Sequence, residues 1–194
     1  MEGTGLNWGK CRLGVFWQYA GTTETSNHIF PVAAEDTTQL NTEEGDEIEA
    51  TIEGGEVEAT RYTSNKYTLS CELRTLDGRK KPLKDADGRI AGTGKVILIP
   101  ETPDAYGLLI EKASARLVDS FTAADGGRWA YNFKALKPAA GDQCKLGTFT
   151  IKDKQGAAIT DIDAMTTDSI GSITFQPVEV EGEDKEDEIE VYSA

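Results

Sequence analysis

Residues 41–74 read NTEEGDEIEATIEGGEVEATRYTSNKYTLSCELR. Across residues 47–53 the odd positions are Glu47, Glu49, Thr51 and Glu53, and the even positions are Ile48, Ala50 and Ile52. Successive side chains of a strand point to opposite faces, so this spacing predicts one apolar and one acidic face. Gly54-Gly55 supplies the positive φ angles of a two-residue hairpin turn, and residues 56–59 lead the chain back. Residues 66–74 repeat the logic, with Tyr67, Leu69, Cys71 and Leu73 on one side and Lys66, Thr68, Ser70, Glu72 and Arg74 on the other. The stretch predicts β-structure with one buried face and one heavily charged face.

Working outward, residues 11–19 predict a first strand, and residues 20–46 a long loop with a short extended piece at 28–33. Residues 75–94 hold two Asp-Gly pairs and a proline, which predicts a turn-rich excursion. The apolar run KVILIP at 95–100 predicts a buried strand. Residues 106–111 fit a helical turn or a strand, and 113–121 fit a strand. After the tight connection at 122–127, Trp129, Tyr131, Phe133 and Ala135 alternate on a further strand. Strands are also expected at 145–152 and 169–180, the latter at an edge because of Pro177. A short helix is expected at 159–167. The fold class is therefore mainly β, an antiparallel β-sandwich or half-barrel with long loops and at most a short helix. A single β-rich domain spans 1–180 and an acidic C-terminal tail spans 181–194, where residues 189–192 could add an edge strand.

The chain has 194 residues and a net charge of −14. That length supports a hydrophobic core without disulfides or metals. The charge argues against binding nucleic acid by phosphate neutralisation, and against anionic membrane surfaces. No apolar run approaches the length of a membrane span. Cys11, Cys71 and Cys144 are odd in number and lack CxxC spacing, so zinc or redox-dithiol chemistry is not indicated and a reducing compartment is expected. The N-terminal residues lack the pattern of a secretory signal.

No motif supports catalysis. His28 is the one histidine and stands in no triad context. Asp85-Ala86-Asp87-Gly88 lacks the glycine spacing and closing glutamate of a calcium loop, and Asp161-Ile162-Asp163 fails likewise. Gly92-Thr93-Gly94-Lys95 lacks the leading glycine and the Ser/Thr of a phosphate-binding loop, and reads as a turn before a strand. No enzyme, cofactor or metal is expected.

Charge placement says more. Residues 43–58 carry Glu43, Glu44, Asp46, Glu47, Glu49, Glu53, Glu56 and Glu58 with no basic residue. Residues 74–95 carry Arg74, Arg79, Lys80, Lys81, Lys84, Arg89 and Lys95 against three aspartates. These regions either balance within one molecule as solvated faces, or the basic excursion of one subunit meets an acidic surface of the next. A head-to-tail contact of the second kind closes into a ring when its rotation allows.

EGDEIEATIEGGEVEATRYTSNKYTLSCEL, within residues 43–73, resembles the major tail tube proteins of tailed bacteriophages and prophages. There an acidic segment, a Gly-Gly-Glu turn and a long amphipathic strand follow in this order. KASARLVDSFTAADGGRWAYNFKALKP, residues 112–138, is similar to the same family. The resemblance implies a tail-tube-like β-sandwich or half-barrel, usually with one short helix, assembled into hexameric rings that stack as a conduit for DNA. It implies a structural protein of the virion tail, assembled in the bacterial host cytoplasm, with other tail proteins as partners and no active site. DNA would pass without specific binding. In that setting Glu47, Glu49 and Glu53 are candidates for a lumen wall that repels phosphate over ~8 Å. Arg79, Lys80, Lys81, Lys84 and Arg89 are candidates for an inter-subunit basic loop, and the loops at 20–46 and 75–94 and the C-terminal tail for arms to adjacent rings. The alternative is a β-sandwich adhesin or binding module without enzymatic activity.

Overall fold

Strict alternation disappears where a strand is covered on both faces, and the runs KVILIP and GLLI mark such strands. The computed structural model describes residues 9–53, 55–76, 78–102, 105–124, 126–178 and 187–193. Its strands are β1 (Cys11–Gln18), β2 (Thr25–Ile29), β3 (Gln39–Glu43), β4 (Glu47–Thr51), β5 (Val57–Tyr62), β6 (Lys66–Arg74) and β7 (Arg89–Pro100). They continue as β8 (Gly107–Thr122), β9 (Gly126–Ala135), β10 (Lys145–Asp153), β11 (Ile170–Pro177) and β12 (Ile189–Ser193). All pairings are antiparallel. The fold is mainly β and forms no closed barrel.

β8 organises the sheet. One edge pairs with β7 between Leu108 and Arg116. The other edge pairs first with β10, through Gly107–Leu109, and then with β9, from Ala113 onward. The order β12-β11-β10-β8-β7-β1-β2 thus carries a branch, β8-β9-β6-β3. Two cores result. Leu13, Val15 and Trp17 of β1, Val96 of β7 and Leu108 and Ile110 of β8 pack with Leu69, Leu73, Tyr131 and Phe133. Phe16, Ile97, Ile99 and Leu109, from the opposite faces of the same strands, pack with Ile151, Ile173 and Phe175. The β7–β8 register shifts on both sides of Gly94, and bulges of this kind bend a strand. A Cβ at Gly94 would lie 2.4 Å from the Phe16 carbonyl oxygen, so only glycine permits that approach.

Several expectations change. Residues 20–46 contain two strands, because backbone pairing of Thr25–Ile29 with β1 and of Gln39–Glu43 with β6 needs no apolar alternation at a sheet edge. Residues 107–111 and 113–121 belong to one strand, β8. Gly92-Thr93-Gly94-Lys95 lies inside β7 and is not a turn before it. Pro177 ends an interior strand, at a position past the reach of β12, which pairs only with Ser172–Phe175. The helix expected at 159–167 is a single 3₁₀ turn, Ile162–Ala164, whose Asp161 side chain accepts from the Asp163 amide at 2.9 Å. Arg12 ties β1 to that turn, donating from Nε to the Ile162 carbonyl at 3.0 Å and from Nη1 to the Phe30 carbonyl at 3.1 Å.

Residues 179–186, which include the first part of the acidic tail, lie outside the described residues. Beyond them β12 rejoins the sheet, with Val191 in the second core and the Tyr192 ring stacked 5.3 Å from Phe16. The double variant V191A/Y192A is expected to lose about 2–4 kcal/mol of stability from the removed burial and ring contact. Urea unfolding checks this through a lower midpoint.

Candidate interaction surface

The β4–β5 hairpin forms a two-stranded sheet of its own and pairs with no other strand. Its cross-strand partners sort the faces. Ile48 opposes Arg61 and Ala50 opposes Ala59 on one face, while Glu47 opposes Tyr62 and Glu49 opposes Thr60 on the other. The alternation is as expected, but the apolar face is not buried. On that face Ile48 is 53% exposed and Ile52 45%, and elsewhere on the hairpin Val57 is 50% and Tyr62 70% exposed. Alternation dictates that side chains segregate, not that another layer covers them.

The hairpin turn also differs from expectation. The Ile52 amide donates to the Glu56 carbonyl at 3.0 Å, and the Gly55 amide donates to the Ile52 carbonyl at 3.0 Å. The connection therefore runs between Ile52 and Glu56 and holds Gly55 at φ 85°. A residue in the left-handed region after a tight turn is the usual way a three-residue loop closes. Glu53 consequently lies in the connection past the end of β4, while Glu47 and Glu49 share a strand face. Glu47 accepts from the Tyr62 hydroxyl at 3.0 Å. Among the described residues, no carboxylate of residues 47–62 has an ion-pair partner.

The arm is fixed at its root. The Asp46 amide donates to Thr63 Oγ1 at 2.6 Å, the Thr63 amide to the Asp46 carbonyl at 2.9 Å, and the Gly45 amide to Asn65 Oδ1 at 3.1 Å. A Cβ on Gly45 would lie 1.9 Å from the Thr63 carbonyl oxygen. Because β3 and β6 pair directly below this root, residues 39–74 make one long hairpin whose outer half leaves the body.

The basic excursion is largely folded onto its own chain. Lys81 Nζ lies 2.8 Å from Asp119 Oδ2 and 3.2 Å from Asp85 Oδ1. Asp119 and Asp85 hold its ammonium above the ordinary range. Arg79 donates from Nη1 to the Arg74 carbonyl at 2.9 Å, and buried Leu83 pins the loop to the first core. Lys80 and Lys84 remain exposed, and Arg89 begins β7.

Sequence reading missed a second cationic surface, the outer face of β8-β9-β6-β3. Arg89 opposes Arg116, which opposes Asn132, which opposes Ser70. In the neighbouring row Lys134 stands between Ser114 and Thr68. Arg128 stands between Ser120 and Arg74, and Lys66 opposes Glu43. Alternation around Leu117 and Phe133 already turns Arg116 and Lys134 outward. Only the register across four strands gathers them.

Among the described residues no three His, Cys, Asp or Glu side chains converge as metal ligands. His28 is half-buried on β2, and burial pushes its imidazole below the ordinary value. Asp85 accepts from the Gly88 amide at 3.1 Å and closes a turn. Among the described residues no helix is long and apolar enough to cross a membrane. The sequence matches no protein-family model and no curated protein.

Two outcomes follow from this geometry. The variant E47K/E49K/E53K is expected to melt within about 0.5 kcal/mol of the parent, since the three side chains are exposed and carry no ion pair; thermal unfolding checks it. The thiols set a pH dependence. Burial pushes Cys71 from 9.0 to about 12, and burial with Asp142 nearby pushes Cys144 to about 11. A raised folded-state value keeps the thiol neutral in the fold. Stability is therefore intact below about pH 9 and is lost as pH climbs towards 12. C71A/C144A is expected to flatten that alkaline slope in denaturant titrations.

Proposed function

We propose that this chain is a self-assembling structural subunit whose rings stack into a phage or prophage tail tube, a conduit for DNA. The observation that carries the reading is the rooted β4–β5 arm with its uncovered apolar side chains. Fully burying one such side chain contributes ~1.5–3 kcal/mol. Ile48, Ile52 and Val57, each about half exposed, leave a few kcal/mol unrealised in the lone chain. An isolated two-stranded hairpin is also marginally stable, so a second surface is the natural place for this one to settle. The likeness of residues 43–73 and 112–138 to tail tube proteins supports the specific assembly. The net charge of −14 suits a conduit that must not retain DNA. The uncovered apolar face of the arm favours a position between subunits, with the lumen wall as the alternative for Glu47, Glu49 and Glu53.

Negative-stain microscopy of the concentrated protein is expected to show rings or tubes, and monodisperse monomers would contradict the reading. E47K/E49K/E53K is expected to prevent ring formation. Intact tubes of this variant that fail at genome ejection would instead place these carboxylates in the lumen.

A further inference from the structure

We infer that the acidic face of the arm docks on the outer face of β8-β9-β6-β3 of a second copy. The inference rests on the self-assembly reading and adds to it a second contact, through the arm face opposite Ile48 and Ala50. Two features show that the sheet face lacks a partner in the lone chain. The first is its sign. Among the described residues Arg74, Arg89, Arg116, Arg128, Lys134 and Lys66 share this face with Glu72 and Glu43 on the strands and Asp87 beside Arg116, in a protein of net charge −14. Glu72 is already engaged, 2.9 Å from Arg128 Nη1. The second is its pairing. Arg89 and Arg116 stand directly opposite one another, an arrangement that destabilises a sheet unless an anion lies between them. Among the described residues neither side chain has an ion-pair partner.

The arm has the complementary chemistry. Glu47, Glu49, Glu53, Glu56 and Glu58 are exposed, with Arg61 as their one basic neighbour in residues 47–62. Glu47 and Glu49 stand about 7 Å apart along the strand, which is also the spacing of successive side-chain rows on the sheet face. Tyr62, on the acidic face, brings an exposed ring, and the sheet face offers Val118, 55% exposed, beside Arg116. A shallow open depression there is lined by Thr68, Ser114, Arg116, Asn132 and Lys134, with Asp87 on its rim. Nucleic acid is the other polyanion of matching sign, but the remaining charge of the protein repels it. A second copy brings its own carboxylates on a preformed hairpin, at equal stoichiometry. Arm and sheet face are different patches, so the contact is head-to-tail and propagates from copy to copy.

The test is a charge exchange read by sedimentation velocity. One chain carries R116E/K134E and so has an acidic arm and an acidic face. The other carries E47K/E49K and so has a basic arm and a basic face. Each alone is expected to associate about tenfold or more weakly than the parent, as several ion pairs at ~0.2–1 kcal/mol each imply. An equimolar mixture is expected to recover association, because each variant then meets its complement in both contacts. If a reversal prevents folding, judged by circular dichroism, R116A/K134A and E47A/E49A are expected to weaken association in the same direction. A mixture that stays two separate species, while the parent chain assembles, overturns this contact and leaves the tube reading standing. A parent chain that stays monomeric at every concentration overturns both. Duplex DNA bound at about 0.15 M salt by the parent but not by R116E/K134E, with parent self-association unchanged in that variant, overturns the second-copy partner in favour of nucleic acid.

Discussion

Backbone pairing along both edges of β8 is the constraint on which the rest of this structure depends. A strand in the interior of a sheet must satisfy its amides and carbonyls on both sides. β8 does so with three partners, holding β7 on one edge while exchanging β10 for β9 on the other. That exchange splits the sheet into a branch on each side. It leaves β1, β7 and the first half of β8 buried on both faces, between two cores that share no side chain but share their backbone. The bulges of β7 around Gly94 supply the bend, and close packing against Phe16 and Trp17 explains why no larger residue stands there.

The arm obeys the same local rules and reaches a different end. Its residues alternate, its turn closes through Gly55, and its root is hydrogen-bonded to β6-proximal residues Thr63 and Asn65. What it lacks is a second layer. Charged side chains on exposed strands discourage indiscriminate edge pairing, and the arm carries five glutamates. An apolar face guarded by like charge favours a complementary surface over a random one. The outer sheet face, with opposed arginines and few carboxylates, has the matching sign. Each surface carries an excess of one sign of charge, and the two excesses are opposite.

Legibility in the sequence tracked burial. β6 and β9 were readable because Leu69, Cys71 and Leu73, and Tyr131, Phe133 and Ala135, alternate into one core. KVILIP was readable as buried because both faces are apolar. β2 and β3 were not readable: TSNHI and QLNTE are held by ladder hydrogen bonds at sheet edges, which leave no compositional trace. The carboxylates of the candidate surface were evident from spacing, yet Glu53 shifted into the connection once the turn proved to have three residues. Lys81 was one of five cations offered as an inter-subunit basic loop, and the fold gave it to Asp119 and Asp85, the former 38 residues away. Arg116 and Lys134 drew no notice because they are far apart in the chain.

The sequence by itself determined which side chains face together along each strand, because alternation is a property of the extended backbone. It also determined that this would be an acidic, turn-rich, antiparallel β protein. Only the tertiary structure decided which apolar face is covered and which is left in water. It also decided which cations are spent within the chain and which stand together on one surface. Those outcomes depend on register between strands distant in sequence, where a shift of one residue turns every side chain to the opposite face.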